Sequence, residues 1–342
     1  MSGYAETQAS ALWRLDLDDA ARRHRLDLSD AAALPERERQ VAVASWLGRM
    51  VNETRSARVF AALKGQARDA GLSGATVAEL ARFEAEELRH GELCAAAAVA
   101  LGGSAVQVVE RGPDVPDHEL EDSLEGLLRN VLSISCLSET VAVALIQAER
   151  LESGPRALQR LLREILADEV GHARAGWRLL DELAPRLGSA RRDRLSAWLA
   201  LAFGHLEAHE LRELAPGPAP SALAEAYGVC DGDRARQLFL TTVHSVIIPG
   251  LERRGLHAGW AWQHRQATCC SARDLYAPMR LSSGGGRSGG GDGATDSDGA
   301  GLGVADVVAR WGTWRLQRAV PGARAGSSAR RRSGIGRRRT VR

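Results

Sequence analysis

Apolar residues recur through the middle of this chain at alternating spacings of three and four, the period of a helix with one buried face. Over 76–101 the series Leu80, Phe83, Glu87, His90, Cys94, Ala97 and Leu101 keeps that period. Over 155–184 it is kept by Leu158, Leu162, Ile165, Glu169, His172, Gly176 and Leu179. A third pattern, over 40–69, aligns Trp46, Met50, Glu53, Ala57 and Phe60, and a fourth spans 120–151. The apolar stripes therefore contain acids where leucine would pack better, and two of them add a histidine one turn after the acid.

The breaks between patterns set the wiring. Gly71 and Gly102–Gly103 are C-terminal stop signals. Ser153, Gly154 and Pro155 form a tight link, with Pro155 suited to a first helical turn. The stretch SAVQVVERGPDVPDHEL has no clear periodicity, and its 17 residues exceed what adjacent antiparallel helices need. It predicts a connection along the long axis of a bundle. The expected fold is all-α: a four-helix bundle over 40–187 with a long crossover between its second and third helices. Residues 1–39 read as a weakly structured or short-helical lead-in. An accessory helical segment over 188–266 holds two further helices, the second ending near Pro249, which pack on the bundle or form an oligomer contact. Residues 267–342, with SSGGGRSGGGDGATDSDGAGLG and ARRRSGIGRRRTVR, read as a low-complexity, basic, disordered tail.

Composition supports helices, since alanine and leucine abound and only 4% of residues are aromatic. The net charge of +2 hides an asymmetry, because residues 271–342 hold 14 Arg against 5 Asp while the remainder is acidic. Lys64 is the single lysine among 45 basic residues, so the arginine content reflects codon usage more than nucleic-acid binding. The Arg-rich tail has no aromatic interleaving beyond Trp311 and Trp314, and nucleic acid is not an expected partner. Cys94, Cys136, Cys230, Cys269 and Cys270 form no C-x-x-C, and Cys94 and Cys136 read as reduced core thiols. The opening MSGYAETQASALWRLDLDD lacks a signal-peptide pattern, no uncharged apolar run of membrane length stands out, and a cytoplasmic protein is expected. There is no phosphate-cradling G-x-x-x-x-G-K-[ST] and no nucleophile elbow.

The acids carry the chemistry. Glu53 is the one acid between residues 40 and 68, and Glu139, in ISCLSETVAVALI, the one between 126 and 148. Each of the four helices thus offers a carboxylate to the interior: Glu53, Glu87, Glu139 and Glu169. Unpaired, each would cost several kcal/mol, more than a domain's net stability can absorb. Either they are neutral acids or cations lie among them, and two divalent ions would balance four carboxylates. Oxygen and imidazole donors without thiolate suit iron, with manganese accepted by the same set, over structural zinc.

The order Glu, E-x-x-H, Glu, E-x-x-H over residues 40–185 resembles the ferritin-like di-iron carboxylate proteins. The resemblance implies two bound iron ions, with Glu53 and Glu139 as terminal or bridging ligands, Glu87 and Glu169 bridging, and His90 and His172 binding one ion each. It further implies that Glu86 and Asp168, immediately before the paired glutamates, accept hydrogen bonds from the ligand histidines. Several branches fit less well. No C-x-x-C iron site is present, Ala142 stands where rubrerythrin-type peroxidases often carry another glutamate, and Ile165 stands where aromatic-amine N-oxygenases carry a histidine. Tyr4, Tyr227 and Tyr276 all lie outside the four helices, away from where a radical-generating subunit needs one, and the chain is longer than a storage ferritin. The expectation is a di-iron oxidase or oxygenase activating O2 against an unidentified small molecule, with an electron-donor protein as a partner. Iron handling, as a ferroxidase or peroxide scavenger, and a non-catalytic metal-binding scaffold are the rival classes.

Gly91, Ala95, Ala98, Gly171 and Gly176 beside the ligands either leave room for a substrate or permit close helix packing, the commoner reason. His205 and His209 lie on a helix beside Glu207 and Glu210 and read as a solvated face. His244, in TTVHSVIIPGLE, reads as a core histidine.

Overall fold

The computed structural model describes residues 12–110, 115–116, 118, 122–212 and 219–265. The low-complexity and basic tail, with Cys269 and Cys270, lies outside them. In chain order the elements begin with β1 (Leu12–Asp16), α1 (Asp18–His24), α2 (Glu36–Asp69), α3 (Gly74–Ala100) and β2 (Val106–Glu110). They continue with α4 (Ser123–Val131), a π-helical segment (Leu132–Ser138), α5 (Glu139–Glu152), α6 (Arg156–Leu183) and α7 (Ser189–Arg212). Last come α8 (Ala222–Ala226), α9 (Gly232–Thr242), a second π segment (Val243–Ile247), α10 (Ile248–Glu252) and α11 (Ala258–Gln263). The protein is mostly helical, as the periodicity indicated.

The helix ends follow local chemistry. Gly71 takes a φ of +70°, a conformation glycine adopts without strain, and Ser73 caps α3 by accepting from the Thr76 N–H. Asp122 caps α4 in the same way through the Glu125 N–H. Four hydrogen bonds define how the long helices run. Arg39 Nη1, near the start of α2, donates to the Leu101 carbonyl at the end of α3 (2.8 Å), so these two helices are antiparallel. Ser123, at the start of α4, donates to Asp69 at the far end of α2 (3.4 Å). The Ser153 side chain, just past α5, and the Trp46 indole, near the start of α2, both bond the Ala226–Tyr227 turn. Thus α4 and α5 run in the same sense as α3, and the chain between Leu101 and Asp122 changes ends of the helix pack. Part of that connection is tied down, with Gln66 and Asn130 both donating to the Pro116 carbonyl (2.8 and 2.7 Å).

Four features differ from the sequence reading. Within the lead-in, residues 12–39 carry the short helix α1, as the short-helical reading had it, and a strand that it did not anticipate. β1 pairs antiparallel with β2, Leu12 opposite Glu110 and Asp16 opposite Val106, and Leu15, Ala21, Leu28, Ala31 and Leu34 are buried with the start of α2 and the end of α3. This pairing joins segments far apart in the chain, which no local pattern announces. The third helix runs unbroken over Ser123–Glu152, but a π segment widens it just before Glu139. Pro249 lies in the first turn of α10, and the helix runs three residues past it to Glu252. Finally, Ser123–Glu152 as a whole is long and apolar enough to cross a membrane by length and composition. Here its Leu127, Leu128, Leu132, Leu137 and Val141 are buried in the protein core.

Beyond residue 188 the helices pack on the same body. Arg194 of α7 bonds the buried Glu125 of α4 (2.6 Å), and the Gly228 carbonyl accepts from Ser45 of α2 (2.9 Å). The apolar interior falls into two clusters. One gathers Phe60, Phe83, Leu127, Leu132 and Leu180, and the other Trp46, Met50, Cys94, Leu158, Leu162 and Ile165. Between them, at the same level on α2, α3, α5 and α6, lie the acids and histidines.

Candidate metal centre

Every residue of the α3 and α6 stripes is buried, including Glu87 and His90 at 0% exposure and His172 at 0%. The structure brings all six expected residues together. Glu53, Glu87, His90 and Glu169 each direct one ligand-type atom into a common space, and so do Glu87, Glu139, Glu169 and His172, with the atoms of each group within 4.8 Å of one another. The groups overlap in Glu87 and Glu169. These Glu/His groups could hold metal ions, and the overlap is what a pair of neighbouring ions sharing two carboxylates requires.

Glycine determines how closely the helices approach. A Cβ on Gly91 would lie 3.2 Å from the Thr54 hydroxyl of α2, and one on Gly176 would lie 2.3 Å from the Ser135 Cβ of the π segment. At these positions small residues serve close packing, whereas Gly171 has open space beside it.

The histidine rings are oriented from outside the cluster. His90 Nε2 lies 3.1 Å from Asp168 Oδ2, and His172 Nε2 lies 3.0 Å from Glu86 Oε2. Each strap crosses between helices: the acid of α6 holds the histidine of α3, and the acid of α3 holds the histidine of α6. An N–H on each Nε2, donated to its carboxylate, leaves Nδ1 as a lone pair facing inward. His172 Nδ1 then sits 3.0 Å from Glu87 Oε1 and 3.2 Å from Glu169 Oε2, and His90 Nδ1 sits 3.2 Å from Glu169 Oε1. Acceptor faces acceptor in these contacts, which is repulsive unless a proton or cation lies between.

Two further observations fit a cation. Both Glu87 oxygens and His90 Nδ1 are buried with no hydrogen-bond partner, although buried polar atoms are nearly always paired. Without metal, protons must meet the charge. Burial, reinforced by the neighbouring carboxylates, pushes Glu87 and Glu139 well above the usual carboxyl range. Burial pulls His90 down, but Glu169 and Glu53 outweigh it and hold the ring's pKa up at about 10. Glu169 goes the other way: burial alone would raise it, yet the facing His172 and His90 rings bring it below its ordinary value. A metal-free cluster thus gathers protons where a loaded one would hold ions.

Some groups near the cluster were not singled out by sequence. Arg89 donates to Asp168 (2.5 Å), and Arg82 lies 3.7 Å from Glu86, so each strap is held by an arginine. Their signal is position: Arg89 precedes His90, and Arg82 stands four residues before Glu86. Phe83 and Phe60 pack on the His172 ring with centroids 4.5 and 5.2 Å away. His205, His209 and His244 belong to neither ligand group. His209 is exposed and bonds Glu210 (3.2 Å), and His205 is half-buried. His244 is exposed rather than core, because the second π segment turns it outward, edge-on to Trp262 (5.5 Å). Cys94 and Cys136 are free, buried thiols outside the ligand groups.

Comparison with protein-family models finds no match to the chain, and comparison with curated proteins finds no significant relative.

Proposed function

We propose that this protein is a ferritin-like dinuclear metal–carboxylate oxidase, with iron as the resident metal, that uses O2 to oxidise a small organic molecule. The observation that carries the proposal is the arrangement of two inward imidazole lone pairs around the unpartnered oxygens of Glu87. Manganese satisfies the same donors, and the oxygen–nitrogen set without thiolate argues against a structural zinc site. The parallel course of α3 with α4 and α5, reached by a connection that changes ends, supports the ferritin-like reading.

The chain's own residues have defined tasks in this reading. Glu87 and Glu169 would bridge the ions, while Glu53 with His90 and Glu139 with His172 would complete the two sites. Asp168 and Glu86 hold the ring protons at Nε2, keeping each Nδ1 free to bind. Phe60 and Phe83 exclude water from one side of His172. Two redox-active ions held so close would share the electrons that reduce O2, with an external electron-donor protein restoring them.

The test is to load the full chain anaerobically with Fe(II) and admit air. Dioxygen uptake in proportion to bound iron, with a near-ultraviolet band from oxidised iron, is the expected result. Iron bound without uptake would overturn the oxidase reading. A second reading, iron handling as a ferroxidase, draws on Glu53, whose side chain is 16% exposed and offers ions a route from solvent. It requires repeated turnover on Fe(II) alone, whereas an oxidase of organic molecules stops after one cycle without a reductant.

A further inference from the structure

A cavity of about 470 Å³ opens between the first half of α3 and the second half of α6, a volume typical of small-molecule sites. Leu80, Phe83, Val131 and Leu179 supply apolar lining, and Ser135 adds a hydroxyl. Phe83 both lines the cavity and packs its ring 4.5 Å from the His172 imidazole. The space is therefore one aromatic ring away from the candidate metal centre.

Two features specify what it would hold. The first is Ser135, 3% exposed and lining the cavity. Buried helical hydroxyls elsewhere in this protein bond the carbonyl four residues back: Thr54 to Met50, Ser196 to Arg192 and Thr242 to Leu238, at 2.7–2.8 Å. Ser135 lies in the π segment, where that geometry is broken, and its hydroxyl has no hydrogen bond among the described residues. In a residue only 3% exposed, it is a donor and acceptor that can turn to the open space it lines. The second feature is the rim. Arg178 pairs with Glu79 and with Glu182 (3.6 Å), and Arg82 lies 3.9 Å from Glu79. Two cations and two anions neutralise one another, so the mouth offers no net charge to an ionic ligand.

We infer that this cavity is a binding site for a neutral small molecule with an apolar body and one hydrogen-bonding group, which Ser135 engages. The inference that the bound molecule is the organic partner of the metal centre rests on the oxidase reading above; the binding itself does not. The lining supplies the apolar contact, the serine fixes orientation, and Phe83 touches both the ligand and His172.

The probe is 2-naphthol, compared with naphthalene and with the 2-naphthoate anion, titrated by fluorescence into the metal-free full-length chain. Saturable 2-naphthol binding is expected. Thr76→Trp, which fills the mouth from a half-buried position, should weaken it at least about tenfold, or about 1.4 kcal/mol. Ser135→Ala should weaken 2-naphthol by about fivefold, the worth of one hydrogen bond, and leave naphthalene unchanged. Equal binding of 2-naphthol to wild type and both variants would overturn the inference, as would 2-naphthoate binding as tightly as 2-naphthol. Dioxygen uptake by the iron-loaded wild type reads the metal centre separately. Failed binding with uptake intact overturns the cavity, and failed uptake with binding intact overturns the oxidase reading and leaves the binding site standing.

Discussion

The two halves of the carboxylate–histidine cluster share Glu87 and Glu169 but stand in unequal surroundings. The half completed by Glu53 and His90 is open on one side: Glu53 reaches solvent, and the strap on His90 is pinned by the half-exposed Arg89. The half completed by Glu139 and His172 is closed, with Glu139 only 4% exposed, the π segment directly behind it and two phenylalanines against the imidazole. The sequence repeats E-x-x-H on two helices and adds one acid from each of two others, a nearly symmetric donor set. Packing makes the halves different. A symmetric ligand pattern is therefore compatible with one side suited to admitting ions or oxygen and another suited to excluding water.

That comparison can be broken outright by removing what the halves share. Glu87→Ala should abolish binding of both equivalents of Mn(II) or Fe(II) in equilibrium dialysis, with the fold retained by circular dichroism. A variant still binding two ions would remove Glu87 from the bridging role.

Removing what the halves do not share should sharpen it. Glu139→Ala leaves a dry void in the closed half and should cost one equivalent of metal. Glu53→Ala opens onto solvent, where water can supply an oxygen ligand, so titration calorimetry should find two ions with one weakened. Equal losses in the two variants would mean that the exposure of Glu53 has no bearing on metal affinity.

A smaller effect is expected at the straps. Asp168→Asn and Glu86→Gln keep the shape but remove the charge that holds each Nε2 proton, and each should weaken one metal site by about 10–100-fold. Unchanged affinity in both would show that the crossed hydrogen bonds do not orient the ligands.

Changing pH alone gives the gentlest test. Glu87, Glu139 and His90 have folded-state pKa values above their ordinary ones. Their contribution to metal-free stability is complete below the ordinary values and is lost as pH rises towards the folded ones, a window reaching about pH 10 for His90. Glu169 is shifted the other way, and its contribution is lost only as pH falls below the ordinary carboxyl range. Bound metal replaces the protons of the first three groups, so the melting-temperature gain on adding Mn(II) should grow between pH 5 and about pH 9. A gain that shrinks over that interval would place the ions elsewhere.

Much of this was legible in the sequence because burial imposes a period. Glu87, His90, Glu169 and His172 fell on apolar stripes, and Glu53 and Glu139 were lone acids in otherwise acid-free stretches of helix. Glu86 and Asp168 were expected only through the family resemblance, and the fold adds that each serves the opposite helix. What stayed hidden depends on distant or irregular contacts. Nothing local pairs Leu12–Asp16 with Val106–Glu110, since neither strand buries enough alone to require the other. The π segments leave no compositional mark, so the turn before Glu139, the freed hydroxyl of Ser135 and the outward swing of His244 could not be foreseen. Gly176 was visible as a small residue, but the Ser135 side chain filling its space was not.

The most direct measurement is anomalous X-ray scattering at the iron edge from crystals of the full chain grown with Fe(II). The account requires two peaks about 3–4 Å apart, both within bonding reach of Glu87 and Glu169, one beside His90 Nδ1 and the other beside His172 Nδ1. A single peak, or iron bound only at surface carboxylates with the six side chains still holding protons between them, would contradict it.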